Sequence, residues 1–87
     1  MSNYDLGKPL YTIGIAAGLC GVNPQLLRLY DQENLVTPFR DKNNRRLYSD
    51  RDLEKIRRIY YLNQEKGVNL QGIKIIMELE SFNKATF

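Results

Sequence analysis

Apolar side chains recur three and four residues apart along this chain, the spacing that places them on one face of a helix. Three stripes follow this rule: Ile13, Ala16, Ala17 and Cys20; Leu53, Ile56, Ile59 and Tyr60; and Leu70, Ile73, Ile76, Met77 and Leu79. Each stripe predicts a helix that packs its apolar face against a core. With a further helix over about residues 24–33, the chain is predicted to contain about four helices.

Helix-stop and helix-start residues place the first two helices next to each other. Gly21 is a flexible stop after the first stripe. Asn23-Pro24 is a strong start, because asparagine caps a free amide and proline at the first helical position loses no hydrogen bond. The second helix is therefore predicted from about Pro24 to Glu33. Two helices joined by a glycine-containing turn are typical of a helix-turn-helix.

The segment that follows predicts a charged β-hairpin. Leu35-Val36 is a brief extended run, and Pro38 prevents its continuation as helix. The residues Asp41 to Asn44 have turn composition, and Arg45 to Tyr48 are strand-like. The expected fold class is thus mainly α: a winged helix-turn-helix with a small β-hairpin wing.

Capping residues mark the last two helices. Ser49 and Asp52 form an S-x-x-D box that begins the third helix. Gly67 is a plausible stop, and Asn69 caps the fourth helix. The residues 81–87 show no pattern and are interpreted as a C-terminal tail, as residues 1–10 are interpreted as an N-terminal arm.

Length and composition limit the class of protein. The chain has 87 residues, 43% of them hydrophobic, which is enough for one small core. Its single cysteine, Cys20, and its lack of histidine predict neither a disulfide nor a zinc site. The sequence shows no signal peptide and no membrane-spanning run. We therefore expect a soluble, cytoplasmic protein with one domain over residues 11–80.

The positive charges are concentrated in the middle of the chain. The net charge is only +3, so the total is weak evidence for a nucleic-acid partner. The central cations are Arg28, Arg40, Lys42, Arg45, Arg46, Arg51, Lys55, Arg57 and Arg58. Such a distribution predicts one face that meets phosphate.

Four runs of residues, taken in order, have a familiar spacing: Tyr11–Gly14, Gly21–Asp31, Leu35–Pro38 and Arg46–Leu53. Together they resemble the N-terminal DNA-binding domain of the MerR family of bacterial transcription regulators over about residues 11–80. The segment 65–74 is most similar to the heat-shock repressor (HspR-type) branch. The resemblance implies a double-stranded DNA partner and regulation of transcription, in this branch by repression.

The second helix is the predicted reader of base edges, because an α-helix fits the major groove. Gln25 and Arg28 share one face; glutamine suits adenine and arginine suits guanine. The alternative is that both are solvated residues of an exposed helix. Asn23 and Pro24 are more typical of capping, although the free amides there also suit a phosphate. Leu29 follows the arginine and belongs to the same predicted DNA-binding set.

Two positions depart from the family pattern. Leu26 stands where the family usually has threonine. The chain therefore lacks a hydroxyl that, in the family, is suited to contact the DNA backbone. Leu29 stands where an aromatic or polar residue is common. These departures affect the expected base preference and not the fold.

The wing is the predicted source of sequence-independent affinity. Lys42, Arg45 and Arg46 lie on or beside the hairpin, where phosphate neutralisation releases counterions. The resemblance implies Arg46 and Tyr48 as wing and backbone contacts. The alternative for the arginine pair is that its charge prevents aggregation of an edge strand.

The resemblance further implies a homodimer on an inverted-repeat operator and a DnaK-type chaperone as co-repressor. Ile75, Met77, Leu79 and Phe82 are candidates for a dimer interface, although core packing is the commoner use of such residues. No cofactor is expected, and no constellation for acid-base or nucleophilic catalysis is present, so an enzyme is not predicted. A second hypothesis is a protein-interaction module, such as a phage or plasmid accessory protein, in which the cations only maintain solubility.

Overall fold

The computed structural model describes the backbone of residues 5–85 and the side chains of residues 5–81. In chain order the described elements are β1 (Tyr11–Thr12), α1 (Ile13–Cys20), α2 (Pro24–Gln32), β2 (Phe39–Arg40), β3 (Arg46–Tyr48), α3 (Asp50–Tyr60), a π-helical turn (Tyr61–Glu65) and α4 (Leu70–Ala85). The mainly α-helical fold class is confirmed. The chain divides into two compact units, one ending at Arg57 and the other beginning at Arg58, so the division falls within α3.

The turn between α1 and α2 has the geometry that its residues predict. Gly21 adopts a φ of 69°, in the left-handed region where a Cβ causes strain, and its amide bonds back to the last turn of α1. The Asn23 side chain accepts a hydrogen bond from the Gln25 amide at 2.8 Å, and Pro24 lies in the first turn of α2. The predicted helix-turn-helix is therefore confirmed, with α2 ending at Gln32.

The prediction that Leu35-Val36 forms a brief extended run is wrong. Both residues bend rather than extend, and their amides donate to the Tyr30 carbonyl at 2.8 and 3.4 Å. Their donors therefore terminate α2, and their side chains are buried in the core. Asn34, at a φ of 61°, turns the chain just before them. The strand begins only after Pro38, which has no N–H to give to a ladder.

The three strands form one antiparallel sheet in the order β1-β3-β2. Tyr11 lies opposite Tyr48, and Arg40 lies opposite Arg46. The hairpin of residues 39–48 is the predicted wing, and it is called the wing below. Tyr11 and Thr12 are both common in strands, but the sequence does not predict that β1 pairs with β3, because the partner of a two-residue strand is not encoded locally.

A capping box connects the wing to α3. The Asp52 amide donates to Ser49 Oγ at 3.0 Å, and the Ser49 amide donates to Asp52 Oδ2 at 2.9 Å, which confirms the prediction. The core of the unit that ends at Arg57 consists of Ala16, Ala17, Leu27, Tyr30, Leu35, Val36, Tyr48, Leu53 and Ile56. Because α2 contributes Leu27 and Tyr30 to this core, its opposite side faces solvent.

The unit that begins at Arg58 contains the end of α3, the π-helical turn and α4. Gly67 adopts a φ of 71° after the turn, and Asn69 Oδ1 accepts a hydrogen bond from the Gly72 amide at 2.8 Å. The predicted cap of the fourth helix is therefore confirmed. Arg58 and Glu80 form an ion pair within this unit.

The apolar stripe of α4 is narrower than predicted. Ile73 is fully buried, whereas Ile75 and Leu79 are 57% and 59% exposed. At 3.6 residues per turn, Leu79 lies about 240° round the helix from Ile73, so it does not belong to the stripe. The Phe82 side chain lies outside the described residues, and α4 continues to Ala85, into the predicted tail. In the part of the chain that the structure describes, no helix is long and apolar enough to cross a membrane.

Candidate nucleic-acid interface

Helix α2 is called the recognition helix below. Its exposed side presents Gln25, Arg28 and Leu29. Gln25 is exposed, Arg28 is half-buried and Leu29 is 38% exposed. The buried residues Leu27 and Tyr30 anchor the other side of the same helix. The helix therefore offers a short, firmly seated row of side chains to a partner.

Arg28 is held by its neighbour Gln25. Arg28 Nη1 donates to Gln25 Oε1 at 3.1 Å, across the three-residue spacing at which helical side chains meet. Bidentate pairing of a glutamine with adenine uses the same amide oxygen as an acceptor. The hydrogen bond therefore occupies the acceptor that this pairing needs, and it orients the Arg28 guanidinium along the helix surface.

The start of the recognition helix carries an uncompensated positive end. Asn23 uses its side-chain oxygen to cap the Gln25 amide, and the first turn of α2 contains no acidic residue. The partial positive charge of a helix N-terminus attracts anions when no local carboxylate cancels it. Asn23 therefore acts as the cap and Pro24 as the first helical residue, and the Gln25 and Leu26 amides are already bonded to Asn23.

The tip of the wing is organised by one carboxylate. Asp41 Oδ1 accepts from the amides of Asn43 and Arg45, each at 2.9 Å, and Asp41 Oδ2 pairs with Arg45 Nε at 3.0 Å. These hydrogen bonds, the Arg45 amide's first, hold the pKa of Asp41 below its usual value. Asn44 closes the turn at a φ of 62°. Lys42 is exposed at the tip, with no ion pair among the described residues.

The arginines of β3 and its edge keep most of their donors available. A guanidinium has five N–H donors, and in the described residues Arg45 and Arg46 each use only Nε, on Asp41 and Asp31 respectively. The Arg45 side chain is 67% exposed and that of Arg46 is 21% exposed. An open cavity of about 290 Å³ adjoins them, lined by Thr12, Ile13, Asn44, Arg45 and Arg46. The remaining donors are the type that binds phosphate end-on.

One acidic residue joins the recognition helix to the wing. Asp31, in the last turn of α2, pairs with Arg46 Nε at 2.9 Å and with Arg40 Nη2 at 3.1 Å. Asp31 lies three residues after Arg28, so the two positions are neighbours on the helix surface. The ion pairs therefore hold the wing against Asp31, on the helix surface of this unit that Arg28 also occupies.

Neither Asp31 nor Arg40 was singled out as a site residue on the sequence. A signal was present: Arg40 and Arg46 are directly opposite in the hairpin, and like charges opposite each other in a sheet repel. Such a pair requires a nearby anion. The sequence does not predict this anion, because the register that brings Arg40 opposite Arg46 becomes visible only in the folded hairpin.

Tyr48 does not lie where the predicted contact requires. Its side chain is 0% exposed, and burial raises its pKa to about 12. The ring is part of the core beneath the wing and does not reach the surface. A direct DNA contact through Tyr48 is therefore not supported, and the buried ring instead packs β3 against the core.

Cys20 is half-buried, and its Sγ lies 3.8 Å from the Leu53 carbonyl oxygen. Burial raises the pKa of this thiol, which lowers its reactivity because the thiolate is the nucleophile. The residue therefore acts as a small apolar residue of the core edge.

Comparison with known proteins shows which family the chain is similar to. The family described as MerR HTH family regulatory protein matches residues 11–80. The chain is 49% identical over 80 residues to the putative heat shock protein HspR of Streptomyces coelicolor, which covers 90% of the chain and 53% of that protein. It is 41% identical over 69 residues to the transcriptional regulator GlnR of Bacillus anthracis, covering 79% and 53%. The chain thus spans about half the length of these relatives.

A solved structure shares the fold. The crystal structure of HiNmlR, a MerR family regulator lacking the sensor domain and bound to promoter DNA, matches with a TM-score of 0.75 and 32% identity, over 83% of this chain and 55% of that one. The fold is therefore the winged helix-turn-helix domain found in MerR-type regulators. The chain belongs to the MerR HTH family of regulatory proteins.

Proposed function

We propose that this chain is the sequence-specific DNA-binding part of a transcription regulator. The observation that carries the proposal is the pair of ion pairs from Asp31 to Arg40 and Arg46. These ion pairs keep the wing arginines on the side of the unit where Arg28 lies. One double helix can meet both at once. The promoter DNA in the HiNmlR structure supports the same partner class.

The recognition helix and the wing make different contributions to DNA binding. The recognition helix enters the major groove, where Arg28 reads a guanine edge and Gln25 orients it. Lys42, Arg45 and Arg46 of the wing neutralise backbone phosphates, which carries no sequence information. Leu29, exposed beside Arg28, makes apolar contact with a base or sugar. Asn23 and Pro24 fix the start of the recognition helix, whose positive end favours a nearby backbone phosphate.

The regulator is further proposed to be a repressor that binds an inverted repeat as a homodimer. The HspR relative supports a heat-shock role, and that resemblance implies a DnaK-type chaperone as co-repressor. Such a protein works in the cytoplasm, where the chromosome lies. A pull-down with the purified chaperone tests the co-repressor alone; its failure leaves DNA binding intact.

A fluorescence titration with a random-sequence duplex at low salt tests DNA binding directly. The expected result is saturable binding that weakens steeply as salt rises. Selection of bound duplexes from a random pool then gives the half-site and its spacing, and a symmetric pair of half-sites supports the dimer. No binding at low salt would contradict the proposal.

One observation favours the second candidate, a protein-interaction module. Ile15 and Leu19 lie four residues apart on α1 and are 55% and 52% exposed, so they form a small apolar surface. An interaction module predicts no duplex binding in the titration above and no effect of salt. The two candidates therefore give opposite results in one experiment.

A further inference from the structure

Asp31 occupies an unexpected place for a negative charge. Its side chain is only 13% exposed, and a single oxygen, Oδ2, accepts hydrogen bonds from Arg46 Nε at 2.9 Å and Arg40 Nη2 at 3.1 Å. The residue lies on the proposed DNA-facing side, where an anion repels phosphate. Its presence there calls for a contribution other than attraction of the duplex.

The two arginines require this anion. Arg40 and Arg46 are directly paired across β2 and β3, and like charges in that register destabilise a hairpin. Asp31 lies between the two guanidinium groups and offsets their repulsion. The wing therefore depends on a residue of the recognition helix for its own pairing.

The connection continues to the wing tip. Arg40 Nη1 donates to the Asn44 carbonyl at 3.1 Å, while its Nη2 is bound to Asp31. A continuous path of hydrogen bonds thus runs from the last turn of α2 through Arg40 to the turn of the hairpin. The same carboxylate directs Arg46 by its Nε alone, which leaves both η nitrogens without a partner among the described residues.

We propose that Asp31 is a positioning residue for duplex binding: its carboxylate sets the wing arginines relative to Arg28 without touching DNA. This inference rests on the proposed function. It predicts that removing a negative charge from the binding side weakens specific binding. Simple electrostatics predicts the opposite sign, because one less anion favours association with phosphate.

The test compares three variants of the 87-residue chain on a duplex selected by the parent and on a scrambled duplex of the same composition. Asp31→Asn keeps the shape and removes the charge; because the wing arginines lose their shared anion, we expect about tenfold weaker binding to the selected duplex. Glu33→Gln is the matched control, since Glu33 has no ion pair among the described residues and lies two positions away. It is expected to bind both duplexes as tightly as the parent, or slightly more tightly. Asp31→Glu keeps the charge and is expected to recover part of the loss.

A measurement without DNA isolates the positioning role. Amide relaxation of residues 41–45 is expected to show a more mobile wing in Asp31→Asn and an unchanged wing in Glu33→Gln. Unchanged wing mobility in Asp31→Asn, or binding that tightens as in Glu33→Gln, would overturn the inference. If Asp31→Asn does not fold, Asp31→Glu carries the same comparison, because its longer side chain displaces the carboxylate.

The two proposals fail in different ways. If the parent binds no duplex, the proposed function is wrong and the role of Asp31 in binding falls with it, while the relaxation data still decide the link between helix and wing. If the parent binds and Asp31→Asn binds equally well, only the role of Asp31 is wrong.

Discussion

The recognition helix and the wing both present cations, but different forces hold them in place. The helix is fixed by its backbone hydrogen bonds, by the Asn23 cap and by the buried residues Leu27 and Tyr30. The wing has two short strands, and its turn and arginines are held by the carboxylates of Asp41 and Asp31. The recognition helix is thus positioned by packing, whereas in the wing only β3 is packed on the core, through Tyr48, and charge positions the turn and the arginines.

This difference suits the two tasks. Reading a base edge requires a side chain at a defined place, which a helix seated on a core provides. Phosphate contacts carry no sequence information, so the wing contributes affinity without discriminating between bases. The comparison predicts that changes in the helix alter discrimination, whereas changes in the wing alter affinity and its response to salt and pH.

The largest effect is expected for Arg28→Ala. Loss of a bidentate contact with guanine removes about 1–3 kcal/mol of discrimination, from roughly fivefold to roughly a hundredfold. Competition between the selected and scrambled duplexes in fluorescence anisotropy measures it. Gln25→Ala serves for comparison and is expected to lose less, because it orients the arginine and leaves it in place. Equal discrimination by parent and Arg28→Ala would remove the helix from the account.

Arg46→Ala is expected to weaken binding to both duplexes alike. Loss of one phosphate contact reduces the slope of affinity against salt by about one. Lys55→Ala removes the same charge from the exposed side of α3 and is expected to change the slope less. A loss confined to the selected duplex would mean that Arg46 reads sequence, contrary to the comparison.

A pair of glycine substitutions tests how the recognition helix is joined to α1. Gly21→Ala forces an alanine to the left-handed φ of 69° and should destabilise the fold by about 1–2 kcal/mol. Gly18→Ala, in the exposed side of α1 with nothing within 4 Å of an added Cβ, should stabilise it by about 0.5–1 kcal/mol. Urea unfolding of the two variants measures both, and the same sign for both would contradict the turn geometry.

The smallest effect concerns pH and the wing tip. Folding lowers the pKa of Asp41 from its ordinary value of 3.8. The ionised carboxylate therefore stabilises the turn at pH values above 3.8, and this stabilisation is lost as the pH falls through the lower pKa of the folded chain. The amide signals of Asn43 and Arg45 should titrate with a midpoint below 3.8. The Gln25 amide, which is capped by the neutral Asn23 side chain, is the control and should not follow that curve. A midpoint at or above 3.8 would show that the carboxylate does not hold the turn.

The same contrast explains what the sequence could predict. The recognition helix was predicted nearly to its ends, because Gly21, Asn23 and Pro24 act on their immediate neighbours. The sequence also predicts the hairpin, but it predicts Leu35 and Val36 as an extended run, whereas both fill the core and terminate α2. The local sequence pattern does not show which apolar segments will be buried in the core.

Site residues follow the same rule. Lys42 and Arg45 lie at the surface as expected, because turn residues are exposed in almost any packing. Tyr48 is predicted at the surface but is buried, and Asp31 is not predicted as a site residue. The environments of both residues depend on strand register and on partners distant in the sequence. The buried ring of Tyr48 and the pairing of Asp31 with Arg40 become visible only when the sheet is assembled.

The central claim is that the recognition helix and the wing engage one duplex together. Titration of the isotope-labelled chain with the selected duplex, followed by amide chemical shifts, tests it most directly. The account predicts that residues 23–32 and 40–48 shift together and reach saturation at the same duplex ratio. Shifts confined to one of these segments, or saturation at different ratios, would contradict it.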